Sequence, residues 1–578
     1  MFDRLLLSSL FFALIPAPAL LVFAAEPTGP VTAQTITAQK RWLHFPVKNG
    51  ARRTPVSIFC NGKMVRTFDA ELAEGTPDWW APLDIGPWQG SNLTIEAQGL
   101  AAGSTALQNL RQAEEKILAD DVYRETLRPQ FHFTARTGRL NDPNGLLYFG
   151  GKYHLFFQFA PFSYGSGAKH WGHATSADLV HWEEQDIALY PDERGHAISG
   201  SGVVDLMNTS GFGTENAPPI VLTYTVAGPD RFQGIATSLD GKTFTPQKDL
   251  QVVRSITPKN RDPKVFWHEP TQRWVMALYV GIPHETLKDE KGKPLRVATI
   301  HFLTSPDLKN YQPASVFRGG TGEDRYLHEC PDMFSLPVEG EPENVKWILS
   351  GANGEYQIGQ FDGKTFTPEG PKLPSFVGNR YAGQTFNNAP DGRLIQLGWM
   401  IYATFPGMPF DQCMNVPVEL KLKRTPDGLR LASMPVPELD QLRRSPVRIP
   451  PQTLKPGQNP LQGIDRELFD LETVIDPGTA KTLTFRLRGT EVVYDATAGT
   501  LRCGKFTAPL PLVAGKIHLR ILGDRTILEI FGADGLFSMP VAKLPCDGNN
   551  ALSLECSGGE AVLESLTVYE MTSAWPQP

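Results

Sequence analysis

Four short segments of this chain repeat the same chemistry at a nearly constant interval. "TSADLVHW" around Asp178 matches "TSPDLKNY" around Asp307, and "SLDGKTFTPQ" around Asp240 matches "FDGKTFTPEG" around Asp362. In chain order these aspartates are separated by 62, 67 and 55 residues. Each segment reads as an acidic or Asp-Gly turn leading into an aromatic strand, so one hairpin unit recurs. A period of about 60 residues suits the four-stranded blades of a β-propeller.

Polar clusters recur at a similar interval: "NDPNG" at Asp142, "ISGSG" at Ser199, "RDPKVF" at Asp262, "HECPDMF" at Glu329 and "YAGQTF" at Gln384. Taken alone, Asn141 to Gly145 reads as a tight turn before a hairpin, because Asn, Asp, Pro and Gly each favour turns. If each cluster instead lies on the innermost strand of a successive blade, all five point at one axis, and residues far apart in sequence meet in one funnel. Pro143 fixes one backbone angle and Asn144-Gly145 permit an unusual one, which would aim Asp142 with little slack.

The flanks read differently. Residues 1–25, with Arg4, an apolar run broken by Pro16 and Pro18, and small Ala24 and Ala25, read as a cleavable secretory signal. The expectation is a secreted or periplasmic protein with no membrane span after signal removal. From 33 to 128, "RWLHFPV", "VSIFC", "MVRTF" and "LTIEAQ" suggest a small β-sandwich. Leu110, Ile117 and Leu118 in "NLRQAEEKILADDVYRE" suggest a short connecting helix. The propeller is assigned to 129–440, a Pro-rich linker to 441–465, and a C-terminal β-sandwich to 466–574 on alternating runs such as "KIHLRILGD" and "TILEIFG". The fold class is therefore all-β.

A net charge of -7 gives no reason to expect a nucleic-acid partner. The 11 Trp and 32 Phe suit β-rich cores and sugar faces alike. Cys60, Cys330, Cys413, Cys503, Cys546 and Cys556 show no metal-ligand spacing, and no disulfide scaffold is expected, although a bridge among the last three is open. His170 and His173 lack a matching carboxylate, so no metal or cofactor is expected. Cys330 reads either as a reactive thiol or as a small packing group. Asn92 and Asn208 begin glycosylation sequons.

Glycoside hydrolysis needs one carboxylate to attack or stabilise the anomeric carbon and one carboxylic acid to protonate the leaving oxygen. Asp142, Asp262 and Glu329 are the candidates, and the residues alone do not assign their roles. "NDPNG", "YHLFFQF", "HWGHATSADLVHW", "SGSGVVD", "RDPKVFWH", "HECPDMF" and "GMPFDQCMNVP", in this order from about Gln130 to Leu439, resemble glycoside hydrolase family 32, the fructan hydrolases and invertases. "DRTILEIFGADG" is similar to the family's C-terminal sandwich. The N-terminal segment is similar to an extra β domain of some secreted bacterial levanases.

The resemblance implies a five-bladed propeller and a retaining double displacement. Asp142 would be the nucleophile, Glu329 the general acid and base with a raised pKa, and Asp262 the stabiliser holding sugar hydroxyls. The two reacting carboxyl groups would lie about 5 to 5.5 Å apart. Asn141, Gln158, Trp171 and Ser199 would contact the sugar, Arg261 would orient Asp262 or a hydroxyl, and Trp399 would form an apolar wall. Relatives often carry aromatic residues where this chain has Arg139, Ser166-Gly167-Ala168 and Ile198, so specificity is less defined than chemistry. The expected substrates are levan or inulin, with sucrose as a further one. The alternatives are fructosyl transfer on the same scaffold and a non-catalytic fructan-binding protein. Oligomeric state is not legible.

Overall fold

The computed structural model describes residues 29–214, 216–542 and 548–576; the expected signal and Cys546 lie outside them. Among the described residues, strands and short 3-10 turns are the only regular elements.

Five four-stranded antiparallel blades, spanning 138–184, 196–246, 260–321, 332–368 and 380–435, form a propeller. Their innermost strands are Gly138–Phe149, His196–Val204, Asn260–His268, Asp332–Val338 and Arg380–Thr385. Blade strands are buried on both faces, as in Ile220–Ala227, because each blade is sandwiched between its neighbours. The near-repeats form the outer hairpins of blades one to four. Asp178, Asp240, Asp307 and Asp362 each use Oδ1 to accept the backbone N–H groups two and three residues on, the local chemistry that makes Asx turns.

A closed ring of side-chain bonds joins the inner strands. Asn144 Oδ1 accepts from Gly200 N at 3.2 Å, and Ser201 Oγ accepts from Val265 N at 2.8 Å. Lys264 Nζ pairs with Asp332 at 2.8 Å, and Asp332 accepts from Thr385 N at 2.9 Å. Gln384 Oε1 then accepts from Leu146 N at 3.2 Å, which returns the ring to the first blade. Phe410–Asp411 pairs in parallel with Gly138-Arg139 and further ties the last blade to the first.

"NDPNG" is not a hairpin turn. It lies inside a twelve-residue strand interrupted by register shifts between Leu140 and Pro143 and between Asn144 and Leu147. Similar shifts occur at Ile198/Gly200, Arg261/Lys264 and Tyr381/Gln384, so four of the five inner strands carry a bulge at the polar cluster. A bulge re-aims a side chain without ending the strand. Gly145, at φ 57°, is required there: a Cβ would lie 2.8 Å from Phe156 Cδ2 and 3.0 Å from Trp171 Cζ3.

The N-terminal region is a sandwich of a four-stranded and a three-stranded sheet around Leu43, Phe45, Ile58 and Ile95. Strands such as Arg53–Cys60 alternate in burial because one face meets solvent, whereas the central strand Trp42–Val47 is buried throughout. The expected connecting helix is absent. Arg111–Ala113 instead pairs with Trp42–Val47, and Ile117 N donates to His44 Nε2 at 2.9 Å. A helix this short is marginal alone, and an open strand edge offers ladder bonds in its place.

The C-terminal sandwich packs a seven-stranded sheet against a five-stranded one. The segment expected as linker contributes to it: Arg443–Ile449 and Gln452–Leu454 both pair with Ala561–Met571. Pro446 is tolerated because it falls in a bulge on an edge strand. The sandwich grips the propeller through buried Asp524, whose carboxylate accepts from the backbone of Gln130, Phe131 and His132 at 2.7 to 3.2 Å. His132 Nδ1 meets Asp524 at 2.8 Å and its Nε2 meets Glu529 at 3.0 Å. Cys60, Cys330, Cys413 and Cys556 are free thiols.

Candidate active site

Bulges in the first and third inner strands, and the segment just before the fourth, bring Asp142, Asp262 and Glu329 together at one end of the axis. Arg261 joins two of them: its guanidinium pairs with Glu329 Oε1 and lies 3.4 Å from Asp262 Oδ2. Cys330 joins the third, because its N–H donates to Asp262 Oδ2 at 3.2 Å and its thiol lies 3.7 Å from Asp142 Oδ2. Asp142 and Asp262 are buried, and the Glu329 side chain is 25% exposed. Asp262, Glu329 and Cys330 all have left-handed backbone, at φ 61°, 71° and 40°. Non-glycine residues adopt this at a cost, and here it turns the carboxylates toward each other.

Asp142 is surrounded by donors. Ser199 Oγ donates to its Oδ2 at 2.6 Å and Gln158 Nε2 at 3.1 Å, while Asn141 Nδ2 donates to Oδ1 at 3.2 Å. Lys169, a buried residue not singled out from the sequence, donates to Asn141 Oδ1 at 2.6 Å. Tyr381, also missed, donates its hydroxyl to Glu329 Oε2 at 2.8 Å. Lys169 lies just before the recognised "HWGHA", and Tyr381 opens the polar cluster "YAGQTF" itself, of which only Gln384 was marked. Trp399 is half-buried, edge-on to Tyr381 at 6.2 Å, with its indole N–H on Gln412.

Trp171 is a correction. It is fully buried, its indole N–H donates to Ile198 O at 3.2 Å, and its ring packs on Phe156 and Tyr224 between the first two blades. Its register partner Gln158 reaches the pocket, but Trp171 lies one strand further from the axis. It supports the pocket from behind and does not face a sugar. His170 packs edge-on between Phe162 and Tyr190, and His173 bonds His154 at 3.0 Å. Among the described residues, no group of three or more His, Cys, Asp or Glu is placed to hold a metal ion.

Ionisation in the free pocket also differs from expectation. Glu329 was expected high, as an acid; burial does push it up, but Arg261, His328 and the Tyr381 hydroxyl outweigh that and hold it at about 2. Burial, helped by the two other carboxylates and opposed by Arg261, pushes Asp262 up to about 7. Burial raises Asp142 too, against the Ser199 hydrogen bond. Burial and the adjacent carboxylates also push the Cys330 thiol well up, which makes it a neutral donor toward Asp142. The three carboxyl groups form one coupled system in which proton occupancy belongs to the cluster.

Arg231, itself buried, carries a guanidinium with no hydrogen bond or ion pair among the described residues, and it lies within electrostatic reach of Asp262, Glu329 and Arg296. It is a donor-only group at the pocket with its capacity unused.

A propeller that gathers three coupled carboxylates at one end of its axis is a glycosidase scaffold. The chain belongs to glycosyl hydrolase family 32: the family's N-terminal domain model matches residues 132–435 and its C-terminal model residues 438–570. It is 36% identical over 503 residues to a levanase of Bacillus subtilis, covering 78% of this chain and 72% of that one. It is 28% identical to an extracellular exo-inulinase of Aspergillus niger, covering 78% of this chain and 96% of that one. The exo-inulinase crystal structure from Aspergillus awamori superposes with a TM-score of 0.70 at 26% identity, over 78% of this chain and 100% of that one.

Proposed function

We propose that the protein releases fructose from β-fructofuranosides, levan and inulin first and sucrose as well, by a retaining double displacement. The observation that carries this is the union of Asp142, Asp262 and Glu329 through Arg261 and Cys330, with Asp142 aimed by Ser199, Gln158 and Asn141. Asp142 attacks the anomeric carbon and forms a fructosyl ester, Glu329 protonates the departing oxygen, and Glu329 as carboxylate then draws a proton from the water that hydrolyses the ester. Asp262 and Arg261 hold fructosyl hydroxyls, and Trp399 supplies an apolar wall.

In the free pocket the raised carboxyls are the aspartates, whereas the mechanism needs the proton on Glu329. Sugar hydroxyls that engage Arg261 and Asp262 weaken the hold of Arg261 on Glu329, and the proton moves within one coupled cluster. Arg231 donates to hydroxyls of the leaving sugar. The extracellular exo-inulinase relative supports secretion of this chain as well.

The test is fructose release from levan, inulin and sucrose by wild type, Asp142→Asn and Glu329→Gln. Both variants are expected to lose activity by several orders of magnitude with unchanged melting curves. Turnover by Asp142→Asn comparable to wild type removes the nucleophile. Transfer products outweighing free fructose at high sucrose would make the enzyme a fructosyltransferase.

A further inference from the structure

The N-terminal sandwich lies outside both family 32 matches, yet its core is not closed by its own residues. Phe162 and Ala168, on the connection between the second and third strands of the first blade, enter that core. The Phe162 ring stacks on Phe68 with centroids 3.9 Å apart and meets Phe45 edge-on at 5.5 Å. Buried Glu71 fixes the same connection at its backbone. Its Oε1 accepts from Gly165 N at 3.1 Å, its Oε2 from Tyr164 N at 3.0 Å, and its own N–H donates to Phe162 O at 3.0 Å. Arg53 donates to the Ser166 carbonyl. A carboxylate that accepts several backbone N–H groups is a strong, geometrically specific anchor.

The anchored connection ends in Lys169, whose ammonium reaches Asn141 Oδ1 at 2.6 Å. The chemistry of that bond sets the orientation of the amide. Burial lowers the Lys169 amine to about 7; as the ammonium it only donates, so Asn141 then presents its oxygen to Lys169 and its Nδ2 to the opposite side. Nδ2 there lies 3.2 Å from Asp142 Oδ1 and 3.1 Å from Gln158 Oε1. With the amide reversed, its oxygen would face the Asp142 carboxylate, and Gln158 would lose its donor. Ala197 N also donates to the Lys169 carbonyl at 3.1 Å, so the lysine backbone is tied to the second blade as well.

We propose that Lys169 is a positioning residue that orients the Asn141 amide toward Asp142, and that the N-terminal sandwich, through Glu71, holds the segment that delivers it. The sandwich is then a wall of the catalytic pocket and not a detachable module. This rests on Asp142 being the nucleophile, as proposed above.

The experiment uses the full chain with sucrose as substrate. Lys169→Met, Lys169→Arg, Glu71→Gln and Asp142→Asn are compared with wild type by kcat, KM and melting temperature. Lys169→Met is expected to lower kcat roughly tenfold or more, the scale of a misplaced reacting group, with KM changed less than threefold. Lys169→Arg, which keeps the donor-only cation, is expected to recover part of kcat. Glu71→Gln is expected to lower kcat in the same sense while Lys169 itself is unchanged. Wild-type kcat in Lys169→Met overturns the proposal, as does Lys169→Arg no better than Lys169→Met, which would reduce the role to packing. A raised KM at unchanged kcat also overturns it, because Lys169 would then bind substrate directly. If Lys169→Met does not fold, Glu71→Gln decides: reduced kcat at constant KM supports the proposal and wild-type kcat overturns it. An active Asp142→Asn strikes the reading of the nucleophile; an inactive one beside a fully active Lys169→Met strikes only the positioning role.

Discussion

Replacing His132 with Gln tests how the sandwich holds the propeller. His132 is fully buried, and its ring nitrogens meet Asp524 at 2.8 Å and Glu529 at 3.0 Å. Burial opposes its protonation, but the hydrogen bonds and charges of the two carboxylates outweigh burial and raise it from 6.5 to about 9. Folding therefore binds this proton, and the gain, about 3 kcal/mol, is complete below pH 6.5 and is lost as pH rises through 9. His132→Gln forfeits it and leaves two buried carboxylates short of their counter-charge, a loss on the order of 3 to 5 kcal/mol when one partner of a buried pair is removed. Calorimetric melting of both proteins from pH 5 to pH 10 reads the difference directly. The gap in melting temperature should be wide and constant in acid and should narrow across pH 6.5 to 9. A gap that stays constant or widens across that window would refute the protonated bridge.

Tyr381→Phe removes a hydrogen bond that holds Glu329 low, so the kcat/KM limb governed by Glu329 should move to higher pH; a limb that stays in place removes Tyr381 from the pocket's proton balance. Gly145→Ala places a Cβ 2.8 Å from Phe156 at φ 57° and should cost about 1 to 3 kcal/mol by thermal melting, whereas an unchanged melting temperature would show that the strand relaxes freely. Asp262→Asn should abolish turnover and yet raise the melting temperature at pH 8. Because folding raises the Asp262 carboxyl from 3.8 to about 7, its charge opposes the folded state increasingly across that range, by at most about 4 kcal/mol, so the advantage of Asn should vanish toward pH 4. A variant less stable than wild type at pH 8 would contradict this.

What was legible in the sequence followed from local chemistry. The four aspartate turns repeat because each is closed within three residues, so the period of the propeller survives in the string. The three carboxylates stand out because each sits in a polar cluster that recurs at about the blade interval. What was hidden depends on register and on neighbours. Trp171 sits in a recognised motif, but its place one strand behind Gln158, fully buried against the second blade, depends on strand pairing and packing that no local pattern carries. The helix pattern at Leu110 to Leu118 was overridden by an open strand edge far away in sequence, at Trp42–Val47. Arg443–Ile449 looked like linker because Pro446 and Pro450 mask an edge strand whose partner, Ala561–Met571, lies more than a hundred residues on. Lys169 and Tyr381 gained meaning only from the residues that other blades bring to them.

Two of the three clustered carboxylates, Asp262 and Glu329, occupy positions that the backbone would otherwise avoid. Left-handed Asp262, Glu329 and Cys330 each carry a cost of about 1 to 3 kcal/mol, and burying the carboxylates adds to it. No single blade could hold such a strand start, because an isolated bulge with a buried charge would relax or hydrate. The ring from Asn144 through Ser201, Lys264, Asp332 and Gln384 removes that freedom, since moving one inner strand breaks bonds to the blades on both sides. Closure of the propeller is thus what keeps the acids in one pocket, with Asp142 and Asp262 on inner strands and Glu329 just before one, while the near-repeats lie at the rim. Rim turns are satisfied locally and can be copied from blade to blade, whereas each inner start meets different neighbours and must carry its own chemistry.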